Sequence, residues 1–213
     1  MRTKFKLFAT VAAFAALASA AVQADDPFTR IPAEVRSGAY VLDSAHSKVT
    51  WSVSHLGFST YVGQFSGVDG TLTLDSRNPA RSRLQATVKA DSVGTFSDGL
   101  DKHLNTADFL DTANHPTATF RSTSLTLVDA DTARIAGDLT LRGVTRPVVI
   151  EADFTQAGVN PLDKTYSVGF DGKAKIRRSD FGVSYGVPMV GDEVTLHLAA
   201  EFKLATPAAK AAS

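Results

Sequence analysis

Cysteine is absent from all 213 residues. No disulfide can brace this chain, and no thiolate is available as a nucleophile or zinc ligand. None of the asparagines is followed by the pattern of an N-glycosylation site. The histidines, at 46, 55, 103, 115 and 197, show neither the i, i+4 pairing nor the H-x-E spacing of common zinc sites. No G-x-S-x-G is present, and Asp180-Phe181-Gly182 stands without the Gly-rich loop and H-R-D that would make it a kinase motif. Charge of one sign is lacking too: 22 basic residues face 22 acidic ones, with no Lys/Arg cluster, which argues against nucleic acid or an anionic membrane as partner. Long apolar runs are also missing. The only one, Leu7 to Leu17, is shorter than the roughly 20 residues a membrane-spanning helix needs.

That run has another use. Arg2, Lys4 and Lys6 precede it, and small residues follow, with A-S-A ending at Ala20 and V-Q-A ending at Ala24. This is the layout of a secretory signal peptide over residues 1–24, cleaved after Ala24 or, alternatively, after Ala20. The mature form then carries 19 basic against 22 acidic residues, a net charge of −3, in 189 residues. Export without disulfides fits the bacterial periplasm and requires a self-sufficient core, for which this length suffices. Residues 25–38, with two prolines and no periodicity, read as a flexible arm, and 205–213 as a disordered Ala-rich tail.

Between them, residues 39–204 alternate short β-like runs with turns bearing Gly, Asp or Asn. Asp43 to His55 is the clearest: Val49, Trp51, Val53 and His55 share one face, and Lys48, Thr50, Ser52 and Ser54 the other. Amphipathic runs recur at 61–74, 84–90, 117–127, 133–141, 147–154, 166–176 and 194–204. Alternation fails only over Phe96 to Phe109, where Leu100, Leu104 and Phe109 fall at helical or near-helical spacing. That insert is either a crossover helix packed on a sheet or a plug for one end of a barrel. About eight strands and a short helical insert make an all-β antiparallel fold. Alternation by itself does not separate a sandwich from a barrel. Thirteen phenylalanines, among them Phe58, Phe65, Phe120, Phe170 and Phe181, could line an interior or fill it.

An ordered set of segments adds to this. Y-V-L-D-S-A-H-S at 40–47, V-S-H-L-G-F-S at 53–59, G-Q-F-S-G-V-D-G at 63–70, S-V-G-T at 92–95 and D-K-H-L-N-T-A-D-F-L-D at 101–111 come first. H-P-T-A-T-F-R-S at 115–122, G-D-L-T-L-R-G-V-T-R-P-V at 137–148, R-R-S-D-F-G at 177–182 and V-G-D-E-V at 190–194 follow. The series resembles the YceI-like family of periplasmic polyisoprenoid-binding proteins. The resemblance implies a lipocalin-like, eight-stranded antiparallel barrel around an apolar tunnel that binds a long-chain amphiphile such as a polyisoprenoid or quinone. It implies no required cofactor, no stable membrane insertion and, as in many members, a homodimer.

On that basis the tunnel wall is expected to include Val49, Trp51, Val53, Phe58, Phe65, Leu100, Leu104, Phe109, Phe120, Phe170 and Phe181. His55, His103, Arg178 and Asp180 are expected at its mouth, where a guanidinium suits a polar head. Two rival functions stand beside this one: an enzyme acting on a lipid or quinone head group, which lacks an evident base and nucleophile, and a packed structural barrel without a ligand.

Overall fold

The computed structural model describes residues 27–206. The leader assigned to residues 1–24 and the tail beyond residue 206 lie outside the described residues. In chain order the elements are β1 (Phe28–Thr29), β2 (Gly38–Leu42), β3 (Lys48–His55), β4 (Ser59–Phe65), β5 (Val68–Leu74), β6 (Arg83–Lys89) and β7 (Val93–Gly94). Then come α1 (Asp98–Leu104), β8 (Thr117–Leu127), β9 (Thr132–Leu141), β10 (Val144–Val159), β11 (Tyr166–Arg177) and β12 (Val190–Leu204).

The strands form one antiparallel barrel of eight staves. Going round, β2 pairs β5, then β6, β8, β9, β10, β11 and β12, which returns to β2. Closure leaves no long open edge and turns every apolar face inward. The first two staves are broken. β12 holds β2 along its last turn (Phe202↔Leu42) and β3 along its first part (Val194↔Val53, Ala199↔Lys48). β2 and β3 are thus one stave interrupted by the corner at residues 43–47, and β4 and β5 lie beside them, interrupted at Ser66-Gly67. These breaks explain why alternation in this region reads as several short runs.

α1 sits where the wall would otherwise be thin, because β4 meets only two residues of β7 on its far side (Gln64↔Gly94, Phe65↔Val93). Leu104, Leu110 and Val93 bury themselves there against Trp51, Phe65, Leu100 and Phe109. The insert is therefore a plug rather than a crossover. Trp51 lies flat across Gly63 on the paired strand, and a Cβ at that glycine would fall within the indole.

The opposite end, below β5, β10 and β12, is partly covered by residues 30–37. The expectation of a flexible arm over 25–38 is corrected here: β1 adds to β10 (Phe28↔Gly158), Pro32–Glu34 form a 3-10 turn, and Val35 is only 5% exposed in the core. The Tyr40 hydroxyl donates to the Arg36 carbonyl, and the Arg36 guanidinium stacks over the Tyr166 ring at 4.3 Å. Burial pushes the Tyr40 phenol up to about 12, so this hydrogen bond persists across physiological pH.

Candidate functional site

Inside the barrel lies a cavity of about 200 Å³ with an almost wholly apolar lining. Leu42, Leu72, Leu84, Ile135, Val148, Ile150, Ala174, Leu196, Leu198 and Phe202 supply most of it, joined by Val49, Phe120 and Phe170. Each is the inward member of its strand's alternation. Ser47, Ser82, Thr119 and Ser122 are the hydroxyl-bearing residues of the lining, and the three serines each accept a backbone amide. Ser47 Oγ accepts the Glu201 amide at 3.0 Å, Ser82 Oγ the Asp75 amide at 3.0 Å, and Ser122 Oγ the Leu84 amide at 2.8 Å. Such a space offers a polar solute few partners and suits a chain of methylenes. A second, more open pocket bordered by Phe28, Gln156, Asn160 and Glu201 has a mixed polar and apolar lining.

The expected wall residues divide. Val49, Phe120 and Phe170 reach the cavity. Trp51, Phe65, Leu100, Leu104 and Phe109 do not; they pack together beneath the insert, and the Trp51 Nε1 is buried without a hydrogen-bond partner. Phe181 is buried in a cluster with Ile176 and Ile150 near the insert end. Val53 is buried further along β3, outside the lining. Phe58 is 91% exposed on the β3–β4 turn, where no strand neighbour covers it.

The expected mouth is corrected more fully. His55, His103, Arg178 and Asp180 all lie at the insert end, which is filled, and none touches the cavity. His55 is exposed at the end of β3, with its ring 6.3 Å from Tyr61. The His103 ring stacks edge-on with Phe109 and Tyr185 at 4.9 and 5.0 Å, and its Nε2 meets Asp108 at 3.0 Å. Asp180 is exposed in the 3-10 turn Arg178–Phe181. Arg178, 7% exposed, donates through Nε to Gly191 O, through Nη1 to Val183 O and Tyr185 O, and through Nη2 to Val190 O. Burial lowers its pKa, and nearby Asp192 opposes that. It clasps a loop and has little left for a ligand.

Aliphatic residues on β5, β6 and β9 to β12 were missed as wall, although their inward parity was available in the sequence. The preference for aromatics concealed them.

One polar cluster lies on the outer corner between β2 and β3. Asp43 Oδ2 bonds His46 Nδ1 at 2.9 Å and Lys203 Nζ at 2.7 Å, and Lys203 also meets Asp163 at 2.7 Å. Asp43, His46 and Glu201 form the one grouping among the described residues whose atoms could converge on a metal, and the Lys203 ammonium already stands on Asp43. Lys203, then His46, hold the Asp43 carboxyl well below the usual carboxylate range. Folding thus favours its charged form: the stabilisation is complete above about pH 4 and drains away as pH falls toward the depressed value. His46 acts in reverse, since its bond to Asp43 raises its pKa; its small contribution holds below about pH 6.5 and fades as pH rises through the raised value. Asp43→Asn is expected to lower stability by roughly 1–2 kcal/mol at pH 7 and to flatten the loss between pH 5 and 3. Urea unfolding across that pH range checks both, and an unchanged acid limb would refute the assignment.

Comparison with known proteins follows the same outline. Residues 40–202 match the YceI-like domain family. A UPF0312 protein of Azotobacter vinelandii is 40% identical over 164 residues, covering 76% of this chain and 85% of that one. The crystal structure of Burkholderia cenocepacia BcnA superposes with a TM-score of 0.69 at 24% identity, covering 78% of this chain and 99% of its own. A polyisoprenoid binding domain from Saccharophagus degradans superposes at 0.58 with 16% identity, covering 80% of this chain and all of that one.

Proposed function

The chain belongs to the YceI-like family, and from that premise we propose that it is an exported binding protein whose barrel takes up the tail of a long-chain amphiphile such as a polyisoprenoid or a quinone. One observation carries this: a cavity of about 200 Å³ inside the barrel with an almost wholly apolar lining. A barrel meant only to be rigid would gain by filling that space, since close packing is worth several kcal/mol. The structural neighbour described as a polyisoprenoid binding domain supports the same ligand class. The signal-peptide layout of residues 1–24 supports a periplasmic location.

Binding rather than catalysis is the reading the site favours. No His, Asp or Glu lines the cavity, and the ammonium of Lys48 in its lining donates to the Ser44, Ala45 and Ser47 carbonyls. Each methylene drawn inside contributes about 0.8 kcal/mol, so about ten of them outweigh a substantial ordering cost.

The test is native mass spectrometry of the full chain expressed in its own host and released from the periplasm. One long-chain amphiphile per barrel is expected. A folded barrel that emerges empty after gentle release would overturn the reading.

A further inference from the structure

The insert end of the barrel finishes in an apolar tip left uncovered among the described residues. Leu56, Phe58, Tyr185, Val187 and Met189 are exposed there, Phe58 almost completely and Tyr185 and Met189 by more than half. They come from two segments, the β3–β4 turn and residues 182–189 ahead of β12. The Leu56 amide joins the two by donating to the Met189 carbonyl at 2.9 Å, and His55 pairs with Val190 at the base of the junction. Tyr185 stands edge-on to His103 of α1, so the tip reaches the insert. Phe96, on the link from β7 into α1, is fully exposed as well.

The backbone shows that folding does not call for these side chains. Leu56 and Gly57 form the centre of a turn closed by the Phe58 amide on the His55 carbonyl at 3.0 Å. Both are left-handed, with φ of 54° and 74°. Asparagine before glycine suits such a turn, and leucine there is strained. Phe96 is left-handed too, with φ of 62°. Large apolar side chains at these positions cost strain and sit in water, the pattern of residues kept for a contact.

Three observations narrow what that contact is. Residues 56–62 and 183–190 contain no charged side chain, so the tip has nothing to pair with a charged partner. Its five contiguous side chains offer on the order of 500 Å², short of the roughly 800 Å² each partner gives a stable protein interface. Both described ends of the chain, beside β1 and past Leu204, lie at the other end of the barrel. The 15 residues of β12 separate them from the tip, roughly 50 Å of strand. A lipid surface needs no matching face and takes up protruding apolar side chains at its interface.

We propose that this tip docks the barrel reversibly on a lipid surface of zwitterionic head groups, with Leu56, Phe58 and Met189 entering the acyl boundary. None of these residues lines the cavity. The purpose of the contact, bringing the barrel to the source of its amphiphile, rests on the lipid-binding reading.

The experiment is flotation of the protein, purified from the periplasm, with phosphatidylcholine vesicles. Binding is expected, and adding phosphatidylglycerol or salt should change it by less than about twofold. Phe58→Ser with Met189→Gln should lower the vesicle partition coefficient at least about tenfold. Leu56→Asn should weaken binding about threefold or more while raising the urea midpoint, since asparagine suits the turn, so that loss of binding is not loss of fold. No binding by the unaltered protein, binding only with the anionic lipid, or undiminished binding by the double variant overturns the docking. A dimer in sedimentation velocity that the double substitution splits, without vesicle binding, assigns the tip to a second copy and overturns it too. Uptake of a long-chain amphiphile should be unchanged in all these variants. Vesicle binding by a protein whose cavity takes up no amphiphile overturns the barrel reading and leaves the docking intact.

Discussion

Ala86→Phe will weaken binding of a long-chain ligand by roughly 100-fold while leaving the barrel folded. Ala86 lies in the cavity lining on β6, level with Gly70 on β5 and Phe120 on β8. A phenyl ring there occupies space that the ligand needs and that nothing else fills. Burying it returns about 1.5–3 kcal/mol, against about 1–3 kcal/mol for residual crowding, so net stability should move little. The ligand fares worse. Exclusion of about four methylenes at ~0.8 kcal/mol each removes ~3 kcal/mol, or roughly 100-fold in affinity. Thr87→Phe, one residue along on the outer face, should bind as the unaltered protein does. Dye displacement together with urea unfolding reads both quantities. A stable Ala86→Phe protein with undiminished affinity would place the ligand outside the barrel.

Arg178→Leu should cost the protein about 3–5 kcal/mol. Four carbonyls, those of Val183, Tyr185, Val190 and Gly191, now converge on this one guanidinium. Leucine strands them in a loop that also binds Leu56 through the Met189 carbonyl. Arg178→Lys, a compact ammonium with three donors, should recover only part of the loss. The defect should be local as well as global, with faster amide exchange across residues 183–191. Denaturant unfolding within about 1 kcal/mol of the unaltered protein would show that the clasp is dispensable. Ligand affinity should survive in whatever fraction remains folded, because Arg178 does not touch the cavity. That separates the clasp from the head-group role its charge suggested.

The mouth illustrates why the sequence misleads about position. An arginine beside an aspartate in a turn, as in Arg178-Ser179-Asp180, carries the same local signature whether it greets a ligand or ties down its own loop. Packing decides, and packing comes from segments that the fold brings near: Val183 to Gly191 for Arg178, and Tyr185 for His103.

Trp51 makes the same point about the wall. Its inward parity was legible from alternation with Val49 and Val53, and the side chain does point inward. How far along the axis each inward residue stands depends on register with β12 and β4, which places Val49 at the cavity and Trp51 under the plug. Phe58 shows the limit of using aromatic content as a guide, since beyond the end of β3 there is no wall for it to join.

The amino-acid sequence alone determined the strands, the single helical break and the inner and outer side of nearly every strand residue. β8 spans Thr117–Leu127 as the pattern prescribed. It could do so because these properties are set by neighbours one to four positions away, through a period of two or of 3.6. The ordered motifs determined the family. Only the tertiary structure decided that the interior keeps a cavity and that the insert end is shut. Those follow from which distant residues are brought level with one another when the eighth stave closes on the first, a relation between segments more than a hundred residues apart.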